Sequence, residues 1–244
     1  MILAAGDGGR LGAHTLTVPK PLVPLNGRAI VDYTLEGLVE AGVREAVVVT
    51  GYREAQVVAA LADGAPPELS LAFVTNRRFH GGASLSLRAA RSWCGDAPFL
   101  LVMSDHVLSG ALVRRLAESA GDGSQSRVAA DFGRRPPAYV EEATKLAVDD
   151  SARVTAIGKH LDTWQALDTG AFALAPSAWD ALDAVPEDCE LSVVFTELAR
   201  REALFAADVS GAFWYDIDTA DDLAAAAALL PLSNPRELAE RRRS

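Results

Sequence analysis

A three-layer α/β/α architecture, with helices on both faces of a mixed, mostly parallel central sheet, is the fold class this sequence predicts. Three observations carry the prediction. Apolar, β-rich runs alternate regularly with helically spaced segments over residues 2–132, which implies parallel strands joined by crossover helices. Residues suited to ligand contact, the glycine loop that starts at Gly6, Asn76 and Asp105, fall at the carboxyl ends of candidate strands, where open α/β sheets bind ligands. From about residue 136 the rhythm changes to short extended pieces broken by turns, which predicts a small, inserted β-rich portion.

The elements follow in order. ILAA (2–5) reads as a buried strand, and AIVDYTLEGLVEAG (29–42) has helical spacing with Gly42 as its stop. EAVVVTG (45–51) is a buried strand, EAQVVAALAD (54–63) a helix and LSLAFVTN (69–76) a strand. ASLSLRAARSW (83–93) is a helix, PFLLVMSD (98–105) a strand ending in an acid, GALVRRLAESA (110–120) a helix and RVAADF (127–132) a strand. AYVEEATKLAVDD, RVTAIGK and QALDTGAFAL are the extended pieces. Helices follow over 176–184 and 190–201, then ALFAADV and FWYDID as strands. DTADDLAAAAALL closes the fold as a helix with Thr219 near its N-cap.

Composition bounds the function. Half of the 244 residues are hydrophobic and 23% are charged, so a packed core is easily built and wholesale disorder is excluded. The two cysteines, Cys94 and Cys189, show neither metal-ligand spacing nor a disulfide framework, which points to a reducing cytosol. No run approaches the roughly 18 apolar residues of a membrane span, and the first residues are too short a run for a signal peptide. A soluble, cytoplasmic protein without membrane insertion is expected. A net charge of −10 argues against a nucleic-acid partner, which needs a basic face to displace counterions. It leaves room for an anionic small ligand held by a few cations in one cleft. The closing stretch PRELAERRRS reads as a solvated helix end.

The opening MILAAGDGGRLG runs a strand straight into glycines, an arrangement that lets backbone N–H groups approach an anion. Two well-known phosphate cradles do not fit. No Lys-Ser or Lys-Thr pair follows the glycines, as the P-loop requires. The dinucleotide fingerprint fails because Leu11 stands where its third glycine belongs and Asp32 falls inside a helical pattern.

LAAGDGGRLG followed by PKPL at 19–22 resembles the signature of the nucleotidyltransferases that make nucleoside-diphosphate sugars and alcohols. VMSDHV (102–107), EEATKLAV (141–148), AIGKHLDTW (156–164), LDTGAFAL (167–174) and FWYDIDTADDL (213–223) follow in the family's order. MSDH, EEATK, IGK and DTGAF together look most like the CTP:inositol-1-phosphate cytidylyltransferase domain, and the resemblance covers about residues 1–230. It implies a Rossmann-like nucleotidyltransferase fold as one domain over 1–230, with a nucleotide-binding half (1–135), an acceptor-binding half (136–230) and a charged tail (231–244). In many archaea and thermophiles that domain is fused to a membrane-bound synthase. No such segment follows in this sequence, which implies a stand-alone form. A downstream membrane CDP-alcohol phosphotransferase is the implied partner. Related enzymes occur as monomers, dimers and tetramers, so a homo-oligomer stays open.

The implied reaction is attack by a phosphate monoester oxygen on the α-phosphorus of a nucleoside triphosphate, with pyrophosphate leaving. The nucleophile is already an anion, so the task is alignment and cation placement. On that scheme Gly6, Gly8 and Gly9 bring backbone groups to the phosphates, and Arg10 faces the departing pyrophosphate. Lys20, fixed between Pro19 and Pro21, faces the α-phosphate. Leu3, Ala4, Ala5 and Ser104 contact nucleotide. Asn76, Gly82, Ala83 and Ser84 face the base. Asp105 and Asp218 hold Mg²⁺, which takes one or two protein carboxylates besides substrate phosphates. Lys159 meets the acceptor phosphate, and Glu142, Lys145, Thr169 and Gly170 complete the acceptor site. Asp216, Asp221 and Asp222 compete with Asp218, while His106 is only a neighbour of a metal ligand. CTP and inositol 1-phosphate are the substrates the resemblance favours. UTP, dTTP or GTP with a sugar 1-phosphate, CTP with phosphocholine, and a catalytically silent nucleotide sensor are the alternatives.

Overall fold

The computed structural model describes residues 1–233. Its strands are β1 (Ile2–Ala4), β2 (Pro24–Leu25), β3 (Arg28–Ala29), β4 (Glu45–Thr50), β5 (Ser70–Thr75), β6 (Phe99–Met103), β7 (His106–Leu108), β8 (Ser126–Asp131), β9 (Lys145–Val148), β10 (Val154–Gly158), β11 (Ala166–Leu174), β12 (Leu204–Asp208) and β13 (Trp214–Asp216). Its α-helices are α1 (Ile30–Glu40), α2 (Glu54–Gly64), α3 (Ser84–Ala89), α4 (Arg91–Cys94), α5 (Gly110–Ser119), α6 (Pro137–Glu142), α7 (Ala178–Asp183), α8 (Leu191–Arg200) and α9 (Ala220–Ser233). From residue 234 on, the charged tail lies outside the described residues.

Nine strands form one sheet in the order β10-β9-β11-β6-β1-β4-β5, with β8 paired to β11 and β12 to β8. β6, β1, β4 and β5 run parallel, while β11 runs antiparallel to β6, β8 and β9. The sheet is therefore mixed with a parallel centre, as the sequence predicts. Val47, Val48 and Val49 in β4 are fully buried, because a parallel strand is covered on both faces and reads as a continuous apolar run. One face packs Leu87, Trp179, Leu182, Phe195 and Leu198 against Leu101, Phe172 and Leu174. The other packs Val31, Leu35, Val57, Leu61, Leu112 and Leu116 against Ile2, Val48 and Val102.

Several details differ from the sequence expectation: the helix expected over 83–93 is split into α3 and α4 at Ala90, and the short strands β2, β3 and β7 are not among the expected elements. The extended stretch expected from residue 138 opens instead with α6, which has proline at its first turn, a position where the missing N–H costs nothing. The β-rich portion is not an insert: β9, β10 and β11 extend the central sheet itself.

A third, smaller core places the site. Leu11, Val23, Leu25, Ile30, Val107, Tyr215, Ile217 and Ala226 pack together. This cluster ties the loop after β1, the β2–β3 hairpin, the β7–β13 ribbon and α9 into one unit at the end of β1. No helix among the described residues is long and apolar enough to cross a membrane.

Candidate active site

The glycine loop owes its shape to one close approach. Gly8 has φ +66°, and a Cβ there would sit 2.5 Å from the Lys20 Cβ; only glycine meets both demands cheaply. The 3₁₀ turn Gly9–Thr15 follows, anchored by buried Leu11. Lys20 opens a second 3₁₀ turn between its prolines and is itself buried.

The Lys20 ammonium lies 2.6 Å from Asp105 Oδ2 and 2.9 Å from Asp218 Oδ1. Arg10 Nη2 donates to the same Asp218 oxygen at 2.7 Å. Distant carboxylates converge because β7 and β13 pair antiparallel, His106 opposite Asp216, with the Ile217 N–H on the Asp105 carbonyl at 3.1 Å. Burial alone would lower the Lys20 pKa, but Asp105 and Asp218 outweigh it and raise it. Burial likewise works against the Asp105 anion, yet Lys20 and then His106 hold its carboxyl well below the usual range.

His106 Nδ1 is 2.8 Å from Asp105 Oδ1 and 3.6 Å from Asp216 Oδ1. Burial disfavours its charged form, but Asp216 and Asp105 overturn that and push it up to about 9. Its ring packs on Gly170, where φ is +76° and a Cβ would run into the imidazole. Asp105, His106 and Asp216 bring one donor atom each within 4.8 Å of one another. Asp105 and Asp218 both turn carboxylate oxygens toward the Lys20 ammonium, and carboxylate oxygens are the donors a hard divalent ion takes.

Two cavities meet at this cluster, and Arg10 lines both. The smaller, about 420 Å³, is lined by Leu3, Gly6, Asp7, Gly8, Gly9, Lys20, Ser104 and Asp105. The larger, about 500 Å³, is lined by Glu142, Lys159, Gly170, Asp216 and Asp218 among others. Each therefore collects residues assigned to one substrate.

Other expected residues lie elsewhere. Ala4 and Ala5 are buried in and just after β1. Asn76 is buried, donating to Ser86 Oγ at 3.0 Å and accepting the Arg78 N–H at 2.9 Å. Gly82, Ala83 and Ser84 run beneath residues 187–189. Gly82 N–H donates to Asp188 Oδ1 at 2.6 Å, and Ser84 Oγ donates to the Glu187 carbonyl and accepts the Cys189 N–H. Ser84 is fully buried, so its hydroxyl is committed inside the protein. Thr169 is fully buried too, donating to the Ala129 carbonyl at 3.0 Å; it points at β8, away from the cavity. Lys145 donates to the main-chain carbonyls of Lys159, Glu141 and Ala143. That geometry makes it a brace behind Lys159 rather than a cavity group.

Sequence reasoning missed Asp168, a carboxyl on the larger cavity's wall. A signal existed: an acid inside an otherwise apolar strand ahead of a glycine. It also left Asp216 unresolved among its neighbours. Asp222 takes the capping role, accepting from Thr219 N and Oγ1, while Thr219 Oγ1 accepts the Asp222 N–H.

The sequence pattern of the family described as "MobA-like NTP transferase domain" matches residues 1–201. A curated relative from Aquifex aeolicus (strain VF5), "Bifunctional IPC transferase and DIPP synthase", is 32% identical over 226 residues, 91% of this chain and 49% of that protein. The chain thus spans about half the length of the curated relatives it matches. Among solved structures, the inositol-1-phosphate CTP transferase from T. maritima superposes with a TM-score of 0.80 at 24% identity, covering 94% of this chain and 93% of that one. A UDP-glucose pyrophosphorylase from Acinetobacter baumannii gives 0.81 at 17% identity, covering 99% and 96%. At these identities the structural likenesses establish the fold.

Proposed function

Since the chain belongs to the MobA-like NTP transferase family, we propose that it transfers CMP from CTP to a phosphorylated polyol, inositol 1-phosphate foremost, releasing pyrophosphate. The observation that carries the reading is the meeting of Lys20, Asp105 and Asp218 where the two cavities join, with Arg10 reaching into both. The choice of CTP and a polyol phosphate leans on the name of the relatives and on the MSDH, EEATK, IGK and DTGAF motifs.

The chemistry needs no general base. A phosphate monoester is largely dianionic at neutral pH, and one of its oxygens forms the new bond to the α-phosphorus. The bond from the α-phosphorus to the bridging oxygen of the β-phosphate breaks, and that oxygen leaves with pyrophosphate. The barrier is repulsion between two polyanions plus charge on the leaving group. Lys20 supplies a point charge at the junction of the cavities. Arg10 faces the leaving pyrophosphate from the loop, and Lys159 holds the acceptor phosphate at the cavity wall. The loop glycines present N–H groups without side chains in the way. His106 orients the Asp105 carboxylate. Asp105 and Asp218 would hold Mg²⁺, which would supply neutralisation of triphosphate charge.

A CDP-alcohol phosphotransferase is the class of enzyme that would consume the product. The free thiols of Cys94 and Cys189 agree with a cytoplasmic setting.

The test is pyrophosphate release with Mg²⁺ across CTP, UTP, dTTP and GTP, each paired with inositol 1-phosphate, glucose 1-phosphate and phosphocholine. The reading predicts the highest kcat/KM for CTP with inositol 1-phosphate. Preference for another pair, or no turnover with any, contradicts it.

A further inference from the structure

Helix α8 closes one side of the larger cavity, where Leu191, Ser192 and Phe195 line it. Phe195 is fixed by the core and stacks on Phe172 with centroids 3.9 Å apart. The first turn of the helix is not fixed in that way. Glu190 at its N-cap makes no side-chain capping bond, so the leading N–H groups lack their usual anchor. The chain just ahead of it, residues 186–188, is exposed.

A staple from a remote segment holds that start. Ser84 binds it three times. Its hydroxyl donates to the Glu187 carbonyl at 2.8 Å and accepts the Cys189 N–H at 2.9 Å, and its own N–H donates to the Cys189 carbonyl at 3.1 Å. Gly82 N–H donates to Asp188 Oδ1 at 2.6 Å, and Arg78 Nη1 pairs with Glu187 Oε1 at 2.7 Å. The approach is close: a Cβ on Gly82 would run into the Cys189 carbonyl. Buried Asn76 anchors the stapling segment in turn, through the Arg78 N–H and the Ser86 hydroxyl. Ser84 is fully buried, and neither cavity at the active site has Ser84 or Gly82 in its lining. A hydroxyl has one proton to give, and that of Ser84 is spent on Glu187.

Resting on the polyol-phosphate reading, we propose that Ser84 and Gly82, although they belong to the half of the chain that carries the glycine loop, act on the acceptor. They are positioning residues: they set the first turn of α8, and with it Leu191 and Ser192 on the acceptor cavity's wall. A wall displaced by about 1 Å can cost about 10²-fold in a reaction that depends on alignment.

Initial rates with CTP and inositol 1-phosphate varied in turn give separate KM values for the wild-type protein, Ser84→Ala, Gly82→Ala, Asp188→Ala and Asp188→Asn. Calorimetric titration of inositol 1-phosphate, with a non-hydrolysable CTP analogue present, reads acceptor binding without turnover. The Asp188 side chain is 49% exposed, so its variants stand in should a buried one fail to fold. The acceptor's KM and dissociation constant should rise about tenfold in Ser84→Ala and Gly82→Ala. In Asp188→Ala they should rise about threefold, while the KM for CTP stays within about twofold in all three. Asp188→Asn keeps an oxygen for the Gly82 N–H and should bind the acceptor as the wild-type protein does. A plain loss of stability would lower kcat without separating the two KM values. A rise in the KM for CTP that equals or exceeds the acceptor's overturns the proposal, as does an unchanged acceptor KM in whichever variants fold. Failure of the wild-type protein to bind inositol 1-phosphate overturns the polyol-phosphate reading and the proposal with it. Weakened acceptor binding in the variants, with no turnover on CTP in any protein, upholds the staple and refutes cytidylyl transfer alone.

Discussion

At the scale of single residues, Lys20 carries a charge that its burial opposes and that two carboxylates restore. Truncating it would remove the cation at the cavity junction and leave Asp105 and Asp218 facing each other. Lys20→Met is expected to lower kcat/KM by about 10²–10³-fold, the loss typical of one preorganised electrostatic contact. Lys20→Arg should restore only part of it, because the bulkier planar fork must enter space closed by Gly8 and shared with the Arg10 guanidinium on the same Asp218 oxygen. Pyrophosphate release checks both. Gly8→Ala joins a strained φ to a Cβ collision with Lys20, so turnover and CTP affinity should fall together. The PKP lysine and the glycines were legible in the sequence because their spacing is local. Thr169 misled because a side chain's face depends on register: β11 has an irregularity between Asp168 and Phe172, and the hydroxyl ends on Ala129. The same irregularity hid Asp168.

Among the elements, the β7–β13 ribbon and β8 hold the acceptor side in place. Asp131, at the end of β8, is buried and accepts from Trp214 Nε1 at 2.8 Å, Gly133 N at 2.8 Å and Arg135 Nη2 at 2.7 Å. Burial would raise its pKa, but Trp214, Gly133 and Arg135 lower it below the ordinary value. A carboxyl depressed on folding stabilises the protein above the unfolded pKa of about 3.9, and that contribution is lost as pH falls through the folded value. The melting temperature should therefore drop on acidification below about pH 4, and Asp131→Asn should flatten that drop while lowering the melting temperature at pH 7. Asp131→Ala, which leaves Trp214 and Arg135 without their buried acceptor, should cost about 3–5 kcal/mol by denaturant unfolding. The order and type of most elements over 2–132 were legible because strand and helix periods differ plainly there. The helix over 137–142 was not, since six residues scarcely complete two turns and its flanks are β-rich.

For the whole molecule, parallel strands, crossover helices and a reversed β11 bring three remote segments to the end of β1. The fold class was legible because alternation is a global pattern. The convergence of Asp105 with Asp218 was inferable only through family motifs, since the pairing of His106 with Asp216 that produces it has no local signature. If the two carboxylates hold a divalent ion, chelation with EDTA should abolish turnover, and added Mg²⁺ should restore it in the wild-type protein but not in Asp218→Asn. The central claim is that an oxygen of the acceptor phosphate attacks the α-phosphorus where the two cavities join. Turnover of CTP with inositol 1-phosphate labelled with ¹⁸O in its phosphate, read by mass spectrometry of both products, tests it most directly. The account predicts all of the label in the CDP-alcohol and none in pyrophosphate; label in pyrophosphate, or an unlabelled nucleotide product, would contradict it.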